Sequence, residues 1–200
     1  MKSGLRIMAG VFLLAYLNFA LGWVALPPRL TWVLAFGLGP AAIQGVLSLS
    51  ARLEATSPAE SLRAGKIFLI IAFALLTLML TMQQAVSTEY QRLQGTTTAV
   101  PSEALRQAFA LVNHIQLGAD VAFDVFYALG MILISAALVA QTGLPRWVGV
   151  YGLGAGGGLL FFNLWTFPAP PASTGAIDLG PATIGWWIGL MVIARRNAKE

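Results

Sequence analysis

The sequence predicts an all-α polytopic membrane protein: a six-transmembrane-helix bundle, one domain over residues 1–200, with N-terminus and C-terminus cytoplasmic. Three observations carry this reading. First, 58% of the 200 residues are apolar and only 10% are charged. Soluble chains carry about 25% charged residues, because something must face water on every side. Second, apolar runs recur at about 7–26, 31–50, 66–86, 118–140, 146–166 and 175–194, each close to the roughly 20 residues a helix needs to cross a hydrocarbon core. Third, the cations fall mainly on one side. With the N-terminus inside, Lys2, Arg6, Arg52, Arg63, Lys66, Arg146, Arg195, Arg196 and Lys199 are cytoplasmic, against Arg29, Arg92 and Arg106 outside. This is a positive-inside pattern, so the net charge of +4 is topological. The cations are too scattered for a nucleic-acid surface. Without Cys, disulfide scaffolds and thiolate metal sites are excluded.

Local chemistry marks the boundaries. The first run follows Lys2 and Arg6, exceeds a usual secretory h-region and lacks a convincing small-residue cleavage site, so it reads as a signal anchor. Pro27-Pro28 ends it. Pro40 should bend the second span by removing a backbone hydrogen bond. Ser57-Pro58-Ala59-Glu60 spells a capping box with Pro at the first helical position, so the third helix should start in water. The polar stretch at about 87–103 is expected to be the longest outer connection. Gly143-Leu144-Pro145 should turn the chain between the fourth and fifth helices. The segment Thr166 to Ser173 is too Pro-rich for a helix and should run extended or polyproline-like. Gly180-Pro181 should bend or interrupt the sixth span. Trp23, Trp32, Trp147 and Trp165 lie near span ends, as an interfacial aromatic belt requires. Trp186 and Trp187 lie deeper, where core packing or an apolar pocket would place them.

Gly152-x-Gly154-x-x-Gly157 matches the dinucleotide-binding fingerprint letter for letter. That motif works between a strand and a helix, where amides reach a pyrophosphate. Here it sits inside an apolar span. The physical reading is Gly152-x-x-x-Gly156 and Gly154-x-x-x-Gly158, small residues that let membrane helices approach closely. Gly37, Ala41 and Gly45 in the second span, and Gly185 and Gly189 in the sixth, form similar faces. Besides the lipid bilayer, a second copy or a membrane-complex partner could be met through Gly152, Gly156, Gly185 and Gly189.

The chemistry concentrates in the fourth span. At 100° per residue, Asn113, Gln116, Asp120, Asp124 and Tyr127 fall within an arc of about 80°. Asp120 and Asp124 are one turn apart on that arc. Acids at such depth are costly unless paired, hydrated or protonated, and they usually face the bundle interior. Two carboxyls so close resist ionising together, so the pair is expected to hold a shared proton or a cation. Asn18, Gln83, Gln84, Asn163 and Asp178 fall in the same outer half, while the inner half has little beyond Gln44 and Ser135. The asymmetry describes a polar, acidic pocket open outward above an apolar plug. The alternative is interhelical hydrogen-bond glue. His114, the single histidine, points about 120° away from Asp120 on a straight helix. It reads as an interfacial residue, and a metal set with Asp120 and Asp124 would need a break near Gly118.

Gly143-Leu144-Pro145-Arg146-Trp147-Val148-Gly149-Val150, followed by a Gly-rich apolar helix, resembles a motif of a family of bacterial six-span inner-membrane proteins of unknown function. The resemblance runs from about Leu117-Gly118-Ala119-Asp120 to the end. It implies a single-domain six-helix protein of the plasma membrane, and it carries no known activity or catalytic residue to transfer to positions here.

The functions these readings admit are three. The first is binding or passing a small solute, cation or proton at the acidic pocket. The second is a structural or accessory subunit of a larger membrane complex, holding a lipid, quinone or pigment. The third and weakest is an intramembrane enzyme, because no catalytic set is evident: Ser135 lies about 30 Å along the helix from His114. No Lys lies mid-span for a retinal Schiff base. The sequence requires no cofactor.

Overall fold

The computed structural model describes residues 26–56, 60–96, 102–141, 145–169 and 171–196. Among these residues the chain is all helix: α1 (Pro28–Thr56), α2 (Glu60–Thr96), α3 (Ser102–Ala140), α4 (Arg146–Thr166), a 3₁₀ turn (Pro171–Thr174) and α5 (Gly180–Arg196). They correspond to the second to sixth expected spans. The first, with Asn18 and Trp23, lies outside the described residues, as do Ser57-Pro58-Ala59 of the capping box and the turn residues 142–144. Helices α1 to α4 are each long and apolar enough to cross a membrane. Helix α5, with 17 residues, falls short of the roughly 20 that a full crossing takes.

The elements differ from expectation at three places. Helices α2 and α3 have 37 and 39 residues, about 55 and 58 Å at 1.5 Å per residue, against a hydrocarbon core of about 30 Å. The polar stretch 87–103 is therefore mostly helix, and only residues 97–101 separate the two elements. From Ser87 to Gln94 the stretch contains no Gly or Pro. The solvated faces carry the i,i+3 ion pairs Glu89–Arg92 and Glu103–Arg106, which suit a helix in water. Tyr90 stacks on Phe109 at 4.2 Å and ties the two extensions together. Second, Gly180-Pro181 starts α5 instead of bending it. Proline costs little in a first turn, where its missing N–H would be unpaired, and Asp178 Oδ1 accepts the Gly180 amide at 2.8 Å. Third, Pro171 to Thr174 coils into a 3₁₀ turn, closed by Thr174 Oγ1 donating to the Pro171 carbonyl at 2.8 Å. Pro40 stays within α1, which continues on both sides of it.

Packing centres on α3, which lies between α2 and α4; α1 covers α2, and α5 lies against α4 and touches α1. Because lipid is as apolar as leucine, such contacts rest on close approach rather than on escape from water. At the α2–α3 crossing, a Cβ on Gly65 would lie 2.9 Å from the Gly130 carbonyl, and one on Gly130 would lie 3.0 Å from the Gly65 carbonyl. On α4, Gly149 and Gly156 face α3, while a Cβ on Gly152 would overlap Ser135 Oγ of α3 and Trp186 Nε1 of α5. Gly154 meets nothing. Gly185 and Gly189 of α5 abut Tyr151 and Val148 of α4, and Tyr151 donates to the Ala182 carbonyl at 2.6 Å. The four glycines of the Gly152, Gly156, Gly185 and Gly189 set thus make contacts within the chain. In α1 the close approach to α2 falls on Gly39, against Thr77 and the Phe73 carbonyl, and not on Gly37, which meets nothing. At the far end from the α2–α3 connection, Lys66 and Glu54 pair at 2.6 Å across α1 and α2.

Candidate functional site

Toward the end of the bundle where α2 meets α3, the helices enclose an open cavity of about 950 Å³. The polar arc read from the helical wheel faces it in full. Asn113, Gln116, Asp120, Asp124 and Tyr127 all line it, and Gln83 and Gln84 line it from α2. A helix presents one face to its neighbour, so residues spaced by three and four meet the same opening. Asn113 and Gln83 are exposed, Asp120 and Asp124 half-buried, and Tyr127 is buried at the floor.

His114 also borders the cavity, at an exposed position. Helix α3 runs through Gly118 without a break, so the kink that a His114, Asp120 and Asp124 metal set requires is absent. Among the described residues no three His, Cys, Asp or Glu side chains converge as metal ligands.

Residues from other elements approach the acids. Asn163 of α4 is buried, donates to the Leu159 carbonyl of its own helix at 3.0 Å and reaches Asp124 with its side chain. Asp178 lies within electrostatic range of Asp120 and Asp124, so three carboxylates share this end. Among the described residues no Lys or Arg lines the cavity, and no ion pair neutralises Asp120 or Asp124.

The floor is aromatic. Trp187 Nε1 donates to Tyr127 Oη at 2.7 Å. Phe123 stacks on Tyr127 at 5.4 Å, and Phe73 meets Tyr127 edge-on at 5.9 Å. Thr183 lies within hydrogen-bonding reach of Tyr127 and itself donates to the Gly180 carbonyl at 2.7 Å. Trp186 and Trp187 are both buried, so the deep pair packs in the core below the opening. Trp32, Trp147 and Trp165 are exposed.

Sequence reasoning did not find the apolar wall, Leu38, Leu76, Met79, Leu80, Phe123 and Leu159, nor Thr183 at the α5 edge. Apolar residues carry no signal of their own in a chain that is mostly apolar. Thr183 is legible only as one turn before Trp187 on the same face of α5.

No protein family, curated relative or solved structure matches the chain.

Proposed function

We propose that this chain is a six-span protein of the bacterial inner membrane, with both termini cytoplasmic, that binds or passes a small solute, cation or proton through an outward-facing acidic pocket. Four helices of spanning length and the one-sided distribution of Lys and Arg support the topology. A single observation carries the function: Asp120 and Asp124 share a cavity of about 950 Å³ that, among the described residues, no Lys or Arg lines. Intramembrane acids are kept at a cost, and they usually serve a ligand, an ion or a proton. The aromatic floor at the Tyr127 end supports entry from the α2–α3 end.

The test is reconstitution in proteoliposomes, measuring binding and uptake of sodium and tetramethylammonium, with a pH dye inside the vesicles. Wild type should exceed empty vesicles for at least one of sodium, tetramethylammonium and protons. Asp120→Asn and Asp124→Asn, which keep side-chain shape, should each lower that signal about tenfold or more, the loss of one charge-assisted contact. If both variants match wild type in binding, flux and internal pH, the aspartates are interhelical hydrogen-bond glue and the proposal fails.

A further inference from the structure

The cavity is much larger than an inorganic ion needs, and its chemistry is divided. A dehydrated hard cation takes about six to eight oxygen ligands, and among the described residues not even three His, Cys, Asp or Glu side chains converge as a metal set. A water molecule occupies about 30 Å³ of liquid, so 950 Å³ is in the range of pockets for whole organic molecules, about 300–1,000 Å³. One side of this space is acidic, through Asp120 and Asp124. The other is hydrocarbon, through Leu38, Leu76, Met79 and Leu80. Flanking Asp124 on α3 are Phe123 and Tyr127, stacked at 5.4 Å, with Tyr127 fixed by the Trp187 indole at 2.7 Å. A cation within about 6 Å of an aromatic face is attracted by the ring quadrupole, and the attraction grows when water is excluded.

We infer that the pocket takes an amphipathic organic monocation: an ammonium group against Asp120, Asp124 and the Phe123–Tyr127 rings, with an alkyl or aryl body along the leucine and methionine wall. The inference rests on the acidic-pocket reading above and names its ligand class. A free metal ion would leave the apolar wall unused, and a neutral lipid would leave the two carboxyls unused. An organic monocation engages both sides at once.

The test is isothermal calorimetry on the full chain in lipid nanodiscs, with empty nanodiscs subtracted. The titrants are alkyltrimethylammonium ions from methyl to hexyl. Each CH₂ buried against the apolar wall should tighten binding about fourfold, and Asp120→Asn with Asp124→Asn together should weaken the hexyl compound at least tenfold. Phe123→Leu, which keeps bulk and removes the ring, should weaken every member of the series by a similar factor. If affinity depends on the aspartates but is flat with chain length, the amphipathic ligand is wrong and the acidic pocket stands. If affinity rises with chain length but ignores the aspartates, both readings fall, because the body alone is binding apolar surface. No heat above empty nanodiscs for any member also overturns the inference.

Discussion

Substituting alanine along α4 separates packing glycines from idle ones on a single helix. At Gly152 the added methyl would overlap Ser135 Oγ and Trp186 Nε1, and both residues are fully buried. The Trp186 indole has no room to swing aside, so α4 must move off α3 or α5. At Gly149 the methyl would lie 2.8 Å from the Ser135 carbonyl and 2.6 Å from Val139 Cγ2, again forcing a backbone apart. Overpacking of this kind costs about 1–3 kcal/mol, and alanine's better helix propensity returns only about 1 kcal/mol. At Gly154 nothing lies within 4 Å, so the propensity gain stands alone. The net of up to about 2 kcal/mol, at about 2–4 °C per kcal/mol for a chain this size, should lower the Tm of Gly152→Ala and Gly149→Ala by up to about 8 °C, and Gly154→Ala should leave it unchanged or raised. Thermal unfolding followed by circular dichroism in one detergent measures all three. A Gly154→Ala variant as destabilised as Gly152→Ala would refute the assignment of faces.

Two further outcomes follow from the site. Tyr127→Phe removes the acceptor of the buried Trp187 N–H bond, and Trp187→Phe removes the donor to Tyr127 Oη. Each should cost about 1–3 kcal/mol, and the double variant should cost less than their sum by about 0.5–3 kcal/mol in a double-mutant cycle; strict additivity would show that the bond contributes nothing. Asp178→Ala removes the acceptor for the Gly180 amide and should cost about 1 kcal/mol, the scale of a capping bond. Asp178→Asn keeps that turn and should match wild-type stability while removing one of the three carboxylates near the pocket. Equal stability loss in both variants would show that charge, not the turn, is what matters there.

The polar arc of α3 was legible because helical periodicity is a one-dimensional property. Asn113, Gln116, Asp120, Asp124 and Tyr127 share a face on any straight helix, and that face borders the cavity. Gln83 and Gln84 were legible by depth alone. Helix ends were less so: the stretch from Thr88 to Gln94 is polar, and polarity in a membrane protein suggests a loop, yet it continues α2 with an ion pair on its wet side. Glycine faces were read by spacing, which located Gly152 and Gly156 but chose Gly37 over Gly39 in α1. Spacing says which residues align, and only the neighbouring helix says which alignment is used.

Composition and periodicity by themselves determined the class of protein, the positions of its apolar helices and the acidic stripe, because each depends on one segment's interaction with its solvent. Tertiary structure decided what the stripe faces. The cavity wall from Leu38, Leu76 and Leu159, the Trp187–Tyr127 bond and the approach of Asn163 to Asp124 join residues of different helices. Such contacts depend on crossing points such as Gly65 against Gly130, which are set by two surfaces at once and written in neither alone.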